Sequence, residues 1–523
     1  MQGNMAKAQK NRASKHGYIS PDQMTIVGFE SPFSQLLTPN NRWVILAQKI
    51  PWDLLVATYQ SRLNNSQTGA DGINPRVAIG AIILKHICNT SDRETVLQIQ
   101  ENMYMQYFIG YSSFSAEAPF DPSLFVEFRK RLGIDQINAI NEKILGLSPG
   151  NGEERTDDKN DQGHSNDTGP LDVLSEQENE NGENVITHKG KLITDATACP
   201  QDIAYPTDLN LLNDARVKSE ELIDQLYDPQ YHKRKPRTYR KVARKYYLRT
   251  AQKKVKSKKE IHNAVKKQLG YLKRNLNSID TLLDQFPYTR IPLSKKQYKY
   301  LLVINTLYDQ QEEMFLEGTH SIEHRIVSIH QPHVRPIVRG KTNANVEFGA
   351  KINVSLMNGF AFLDDLFWEA FNEGTRLLAT VEKYKERFGY YPEEVLADKI
   401  YCNRPNRNAL KLLGIKLRAK PLGRPTAVDV EHVSPGERNP IEGTFGQAKT
   451  AYGLNRIKAR LQQTSESWIA SIILVLNLIK IIGLSAYCHI LSMWTYSAKS
   501  FMKILKQDLY YLFSLGIFEP KTS

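Results

Sequence analysis

The pattern that most constrains the fold is a β-hairpin signal that lies far along the chain from an earlier strand. Two alternating apolar runs, 346–357 and 360–370, are joined by Asn358-Gly359, the dipeptide most typical of a tight hairpin turn. An apolar strand at 191–198 precedes them, and two more, at 394–397 and 415–419, follow. Residues 201–344 have mainly helical periodicity. The order predicts an α/β protein in which a large helical insertion separates the first and second strands of a mixed sheet.

The residues before this sheet read as an all-helical N-terminal domain, 1–148. Pro75 begins one apolar helix, Ser91 and Glu94 have capping-box spacing at the start of a second, and Asp121-Pro122 opens a third that carries a basic run at 129–131. The short turn between the first two helices is compatible with a helix-turn-helix that reads DNA. Plain packing of core helices is the alternative.

Charge is distributed very unevenly along the chain. The total is +13, from 69 Lys and Arg against 56 Asp and Glu. Residues 153–184 hold 11 acids and 2 bases, and with their polar neighbours they predict an acidic flexible linker over 149–187. Residues 233–274 hold 18 bases and one acid, interleaved with tyrosines such as Tyr239 and Tyr246.

This basic segment predicts contact with a nucleic-acid backbone, because cations at such density repel one another unless a polyanion neutralises them. A solvated helical face is the alternative. The candidate DNA-binding cations are Lys233, Arg234, Lys235, Arg237, Arg240, Lys241, Arg244, Lys245, Lys253 and Lys254.

The remaining composition predicts a cytoplasmic protein. Four cysteines lie far apart and read as reduced thiols, and the basic N-terminus lacks the apolar core of a signal peptide. The apolar stretch 468–484 contains Asn477 and Lys480 and is shorter than a membrane span needs, so we expect a buried helix and no membrane partner. Residues 486–523 form a C-terminal tail. We interpret His330 and His333 as polar loop residues.

Three carboxylates are candidates for catalysis. Asp195 stands near the end of the first strand and Asp398 directly follows another, so neighbouring strands would bring them into one site. Glu442 is the third, and Lys449 lies two helical turns beyond it, with Arg438 just before the helix. Oxygen donors without cysteine or histidine favour Mg²⁺ or Mn²⁺, and two such ions suit phosphodiester chemistry.

Each carboxylate also has a structural alternative. Asp195 would cap a turn, and Asp398 would pair with Lys399 or Arg404. For Glu442, a helix that begins with Asn439 as its N-cap and Pro440 as its first residue would put the glutamate at a capping-box position.

Three blocks of sequence resemble the DDE transposases of prokaryotic insertion sequences, in their chain order. They are LITDATACPQDIAYPTDLNLLNDAR around Asp195, ADKIYCNRPNR around Asp398, and ERNPIEGTFGQAK followed by YGLNRIKAR around Glu442. The resemblance extends from about Ser31 to Ile482. It implies an RNase H-like catalytic domain built from 188–200 and 345–485, with 201–344 as its basic helical insertion.

By this resemblance Asp195, Asp398 and Glu442 form the catalytic, metal-binding triad, which holds two Mg²⁺ or Mn²⁺ ions. Arg438 and Lys449 would bind phosphates of the DNA, and Tyr401 would support the site beside them at the DNA. A related group has a tyrosine where this chain has Pro435, which leaves any tyrosine contact to the DNA end, and a hairpin intermediate, in doubt.

The implied activity is that of a transposase. It would bind the inverted repeats that end its element, cleave there, and join the 3′ ends to target DNA, as a homodimer that brings two ends of double-stranded DNA together. Two alternatives stay open: an RNase H-like nuclease or resolvase that cuts without joining, and a catalytically silent DNA-binding protein derived from a transposase.

Overall fold

The computed structural model describes residues 33, 37–61, 72–146, 188–286, 292–341, 344–419 and 435–483. The expected acidic linker, 149–187, and the tail, 486–523, lie outside the described residues. Two compact units emerge. Of the described residues, the first contains those up to 131, 136–146 and 473–483, and the second contains 132–135 and those from 188 to 472.

Helices make up the regular structure of the first unit, in which the described residues contain no strand. They are α1 Arg42–Lys49, α2 Trp52–Gln60, α3 Pro75–Cys88, α4 Asp92–Glu101, α5 Met103–Phe108, α6 Leu124–Arg131 and α7 Ile134–Ile144, the last of which belongs mostly to this unit. The expected caps are present: Pro75 is the first residue of α3, and Ser91 Oγ accepts from the Glu94 N–H at 3.1 Å. Local signals therefore place the starts of α3 and α4 correctly.

The basic run on α6 takes part in the packing and ion pairs of this unit. Arg129 is only 3% exposed and forms an ion pair with Asp92 of α4. Arg131 donates to the Tyr59 hydroxyl at 3.3 Å, and Lys130 pairs with Glu127 at 2.7 Å. Helix α4 itself carries three acids and one base, which is unfavourable beside phosphates. These contacts are those expected from the packing alternative, and DNA reading by these helices stays a prediction.

The second unit contains a six-stranded mixed sheet, which confirms the α/β class. Its strands are β1 Lys191–Pro200, β2 Arg335–Lys341, β3 Ala344–Met357, β4 Phe360–Phe367, β5 Glu394–Leu396 and β6 Lys416–Arg418. Five of them follow the order β2-β3-β1-β5-β6, and β4 also pairs with β3. β1 is antiparallel to β3 and parallel to β5. At the predicted hairpin, Asn358 and Gly359 both have positive φ, 49° and 77°, as a type I′ turn requires.

Strand β2 is the element that the sequence analysis missed. It lies inside the range assigned to the helical insertion, so the boundary at residue 344 is too late. Pro336 and the charged residues hide its alternation, and they are tolerated because β2 pairs with β3 alone and forms an edge of the sheet.

The helices between β1 and β2 share a hydrophobic core of their own. They are α8 Asp208–Leu226, α9 Arg240–Ala251, α10 Lys258–Asp284 and α11 Lys295–Glu317. Leu212, Leu272, Ile279 and Ile304 are among the fully buried members of that core. Ser257 and Glu260 form a reciprocal capping box at the start of α10. The range between β1 and β2 is therefore mainly helical, and its basic segment comprises the residues before α9, α9 itself, the connection to α10 and α10 as far as Arg274.

The remaining helices follow the hairpin. They are α12 Leu377–Phe388, α13 Arg404–Leu412, α14 Pro435–Thr450 and α15 Gln462–Gly483, with short 3₁₀ helices at Glu373–Thr375 and Lys399–Tyr401. Among the described residues, α15 is the one helix long and apolar enough to cross a membrane, and 67% of its most apolar window is buried inside the protein. Core helices pass the same length and composition test, so this is weak evidence for a membrane span.

Candidate active site

The pairing of β1 with β5 brings the two candidate aspartates to the same edge of the sheet. These strands are parallel, and Ile193 lies opposite Leu396. Asp195 and Asp398 each follow two residues later, and side chains two residues apart point to the same face of a sheet. Asp398 ends this edge as the N-cap of the 3₁₀ helix, where its Oδ1 accepts from the Lys399 N–H at 2.7 Å. The expected convergence of these two carboxylates is observed.

Arg438 joins the two aspartates. Its Nη2 lies 3.1 Å from Asp195 Oδ2, and its Nη1 lies 3.4 Å from Asp398 Oδ1. The arginine side chain is 18% exposed and that of Asp195 19%, whereas that of Asp398 is half exposed. Asp398 therefore pairs with Arg438 rather than with Lys399 or Arg404, the partners that its structural alternative named.

Helix α14, which carries Arg438, begins earlier than the sequence indicates. It starts at Pro435, so Arg438 lies in its first turn and Pro440 lies inside the helix. The prediction of Asn439 as N-cap was wrong, and with it the capping role suggested for Glu442. Proline removes one backbone hydrogen bond, so α14 depends on the burial of Ile441 and of the apolar residues that follow it.

Burial perturbs the Asp195 carboxyl. Desolvation, with smaller contributions from the nearby Glu373 and Asp398 carboxylates, raises the pKa of Asp195 to about 6, although the Ala196 N–H and Arg438 oppose the shift. The Asp195 Oδ1 accepts from that N–H at 2.8 Å within the strand. A carboxyl group desolvated beside two other acids is a candidate functional group and is ill suited to a turn cap.

Glu373 is a member of this cluster that the sequence analysis missed. It begins the 3₁₀ helix after β4, and Lys351 Nζ pairs with it at 2.8 Å. The Glu373 carboxylate raises the pKa of Asp195 more than the Asp398 carboxylate does. In the sequence it stands in a loop, FNEGT, away from any strand end, and no local signal links it to the aspartates.

Tyr401 supports the site from inside the protein. It is fully buried, and its hydroxyl donates to Asn353 Oδ1 at 3.4 Å, while Asn353 Nδ2 donates to Thr380 at 2.8 Å. Burial, Glu373 and Asp195 all raise the pKa of the Tyr401 hydroxyl. The Tyr401 side chain has no accessible surface in this structure, and its contact with DNA stays a prediction.

The contacts that Asn406 and Gly374 make with nearby backbone form a clamp on the turn that carries Asp398. Asn406 Nδ2 donates to the Gly374 carbonyl at 2.7 Å and to the Tyr401 carbonyl at 2.9 Å. Gly374 packs so closely that an added Cβ would lie 2.6 Å from the Ile400 carbonyl oxygen. The two 3₁₀ helices are thus fixed to each other beside the aspartates.

Gly374→Ala is expected to destabilise the second unit by about 1–3 kcal/mol, the usual cost of overpacking. The new methyl group meets backbone, which cannot rotate away. Urea unfolding would measure the loss. Gly270→Ala is the matched control, since nothing lies within 4 Å of that position inside α10, and the control should gain about 0.5–1 kcal/mol. An equal effect of both changes would contradict the close packing at Gly374.

Glu442 and Lys449 lie on α14 beyond Arg438. Glu442 is exposed, one helical turn after Arg438, and Lys449 is half-buried two turns further on. Within the part of the chain that the structure describes, no three acidic, histidine or cysteine side chains stand close enough to hold a metal ion. The structure therefore unites Asp195, Asp398 and Arg438, and it does not bring Glu442 into the same cluster.

The basic segment presents its cations to solvent. All ten predicted DNA-binding residues are exposed. Lys235 and Arg240 pair with Asp224, at 2.8 and 2.9 Å, and Lys253 pairs with Glu260. The other seven predicted DNA-binding cations of this segment are Lys233, Arg234, Arg237, Lys241, Arg244, Lys245 and Lys254.

Cations of α10 lie over the tyrosine rings of this segment. Lys267 is 3.8 Å from the ring centre of Tyr246, and Arg274 is 5.0 Å from that of Tyr239. Both rings keep more than a third of their surface exposed. Stacking within the protein therefore fixes these rings at the basic surface.

Comparisons with known proteins match two parts of the chain to transposase domains. Residues 31–131 match the family described as a transposase domain (DUF772), and residues 395–479, which include Asp398, Arg438 and Glu442, match a transposase DDE domain. An uncharacterized protein, ORF8 in the nfe locus of Rhizobium meliloti, is 32% identical over 105 residues, which are 20% of this chain and 50% of that protein. The chain thus spans about half the length of this curated relative. No solved structure matches the chain. The two matched domains support a DDE-type transposase of an insertion sequence.

Proposed function

We propose that this transposase binds the inverted-repeat ends of its own element, cleaves the DNA there and transfers the 3′ ends to target DNA. The observation that carries the proposal is the pair of aspartates at the ends of adjacent parallel strands, joined by one arginine. Carboxyl ends of parallel strands are where α/β sheets place their active sites. We take the sheet to be the RNase H-like catalytic domain that the resemblance implies.

Asp195 and Asp398 fit a divalent cation by their chemistry. Both offer carboxylate oxygens, which Mg²⁺ and Mn²⁺ prefer, and both already share one positively charged partner. They would hold the metal together with Glu442, which extends from the same helix as Arg438 and is free to change rotamer at the surface. Two such ions would activate a water or a 3′-hydroxyl and stabilise the leaving oxygen.

The protein's own side chains would bind and orient the DNA. Arg438 presents a planar fork of donors that suits a phosphate, and Lys449 adds a point charge on the same helix. Tyr401 and Asn353 keep the floor of the site rigid, and the clamp at Gly374 holds the turn that carries Asp398. Because two element ends must be joined to one target, we expect a homodimer in the DNA complex.

The α9 surface would grip the DNA backbone without reading sequence. Changing Lys241, Arg244 and Lys245 together to glutamine is expected to weaken duplex binding and to reduce the slope of log affinity against log salt by roughly 2–3, about one per lost phosphate contact. Fluorescence anisotropy over a range of salt concentrations measures both quantities.

A matched triple variant separates this local effect from net charge. Lys130, Lys191 and Lys218 each pair with a glutamate and belong to other elements, so their change to glutamine removes the same number of positive charges outside α9. The slope of this control should stay close to that of the wild type. Equal slopes for the two triple variants would contradict a DNA contact on α9.

A strand-transfer assay tests the proposed function. The substrate is a duplex of the inverted repeat that flanks the gene, supplied both uncut and pre-cut at its 3′ end, with a supercoiled plasmid as target and Mg²⁺ or Mn²⁺ present. The proposal expects cleavage of the first substrate and joining of the second. Cleavage without joining would indicate the nuclease or resolvase alternative, and binding without either product would indicate the silent DNA-binding protein.

A further inference from the structure

We propose that Arg438 is a latch that keeps metal out of the aspartate pair until a DNA phosphate draws its guanidinium away. The inference rests on the proposed function, and it adds a condition: metal binding and DNA binding assist each other. The same arginine would hold the carboxylates in the free protein and the phosphate in the complex.

The geometry makes the arginine and a metal ion compete. The two terminal nitrogens of Arg438 are engaged by different aspartates, at 3.1 Å from Asp195 and 3.4 Å from Asp398. A divalent cation held by the same two carboxylates would compete with the guanidinium for their oxygens. The guanidinium and a divalent cation at the same two carboxylates would also repel each other, because screening by water is weak in a partly buried site. The guanidinium must therefore leave before the metal enters.

The third nitrogen of the Arg438 guanidinium, Nε, indicates which ligand would draw the group away from the aspartates. Its Nε is buried and has no hydrogen-bond partner among the described residues. A phosphate that offers two oxygens to one edge of the guanidinium, Nε with Nη2, would satisfy this nitrogen and replace the contact to Asp195. The guanidinium thereby exchanges its single contact with Asp195 for a bidentate contact with the phosphate.

The exchange also changes the charge balance of the site. Removing the guanidinium leaves the Asp195 and Asp398 carboxylates without this positive charge, while Glu373, whose carboxylate also raises the pKa of Asp195, stays paired with Lys351. The two aspartates then attract a divalent cation more strongly than they did with the arginine between them. By linkage, a phosphate that favours metal binding is itself bound more tightly when metal is present.

The opposite role of Arg438 gives an opposite result. If the arginine only holds the aspartates in position for the metal, its removal lowers metal affinity, because the two carboxylates repel each other and separate. If it is a latch, its removal raises metal affinity. Direct metal binding to the DNA-free protein therefore distinguishes the two roles.

The experiment is a Mn²⁺ titration of the full chain, followed by electron paramagnetic resonance of the free ion. Arg438→Gln is expected to bind Mn²⁺ about tenfold more tightly than the wild type, within the range usual for coupled sites. Arg456→Gln is the matched control, because Arg456 pairs with Asp202 at 3.0 Å and contacts neither aspartate of the site. Its Mn²⁺ affinity should equal that of the wild type.

A second titration includes the pre-cut duplex of the inverted repeat. The duplex should tighten Mn²⁺ binding to the wild type by a similar factor and have little effect on Arg438→Gln, in which the latch is already gone. Arg438→Lys retains a cation without the planar fork, so it should bind Mn²⁺ like the wild type in the absence of DNA. Circular dichroism checks that each variant is folded.

Equal or weaker Mn²⁺ binding by Arg438→Gln, or an unchanged wild-type affinity in the presence of the duplex, would overturn the latch. Asp195→Asn separates this failure from that of the proposed function. If Asp195→Asn binds Mn²⁺ as the wild type does, the metal site itself is wrong and both proposals fail. If it loses Mn²⁺ while Arg438→Gln gains none, only the latch fails.

Discussion

Asp398→Asn is expected to reduce metal-dependent cleavage of the inverted-repeat duplex by more than about 100-fold while DNA affinity stays unchanged. Changes to residues that merely orient metal ligands already cost 10–100-fold, and loss of a ligand should exceed that. Asparagine is chosen because it is as good an N-cap as aspartate, so the Lys399 N–H keeps its acceptor. The variant therefore removes charge and leaves the turn intact.

A gel-based cleavage assay and fluorescence anisotropy with the same duplex measure the two quantities. Asp202→Asn is the matched control, since Asp202 lies shortly after β1, is half exposed and pairs with Arg456 outside the site. The control should cleave at the wild-type rate. Cleavage by Asp398→Asn within a few fold of the wild type would exclude Asp398 as a metal ligand, whatever the fate of the other carboxylates.

Asp92→Asn is expected to lower the free energy of unfolding of the first unit by about 3–5 kcal/mol, the usual cost of leaving a buried charge unpaired. Asp92 pairs with both Lys85, which is 1% exposed, and Arg129, which is 3% exposed. Without the carboxylate, two buried cations face each other with no opposite charge between them. Hydrogen exchange of α3 and α6 during urea titration would measure the change for this unit alone.

The ion-paired group of Asp92, Lys85 and Arg129 also makes the stability of the first unit depend on pH. Burial alone would raise the pKa of Asp92, but its pairing with Arg129 and Lys85 outweighs burial and holds that pKa below its ordinary value of 3.8. The unfolded chain then binds the proton more readily than the folded one. The stabilisation is therefore complete above the ordinary pKa and is lost as pH falls through the lowered pKa.

Glu101→Gln, on the exposed face of α4, is the control for Asp92→Asn and should leave the free energy of unfolding unchanged. A loss under about 1 kcal/mol for Asp92→Asn would contradict the buried triad.

Several features of the fold follow from short stretches of sequence. The Asn358-Gly359 turn, the start of α3 at Pro75 and the cap at Ser91 are each decided by residues within four positions of one another. Turn chemistry and capping act over that distance, whatever the rest of the chain does. The same reasoning failed at α14, where burial of Ile441 and its neighbours extends the helix to Pro435 despite a proline inside it.

The candidate site also combines features that are visible in the sequence with features that only the fold creates. The positions of Asp195 and Asp398 at strand ends were visible in the sequence, because a carboxylate directly after an apolar run is costly unless it lies at the sheet edge. Their meeting depends on the parallel register of β1 and β5, whose residues are about 200 positions apart. Glu373 had no local signal, since only the packing of two 3₁₀ helices brings its loop beside Asp195.

By itself, the sequence determined the order of five of the six strands, the exposed basic character of the insertion and the two aspartates, because these depend on local periodicity and charge. Tertiary structure alone decided which charges are buried and with whom. Arg129 resembles a DNA contact in the sequence and is an internal ion pair, and Tyr401 resembles a surface contact and is fully buried. Arg438 meets Asp195 across 243 residues. Burial depends on what packs over a side chain, and those neighbours come from elements that are far apart in the chain.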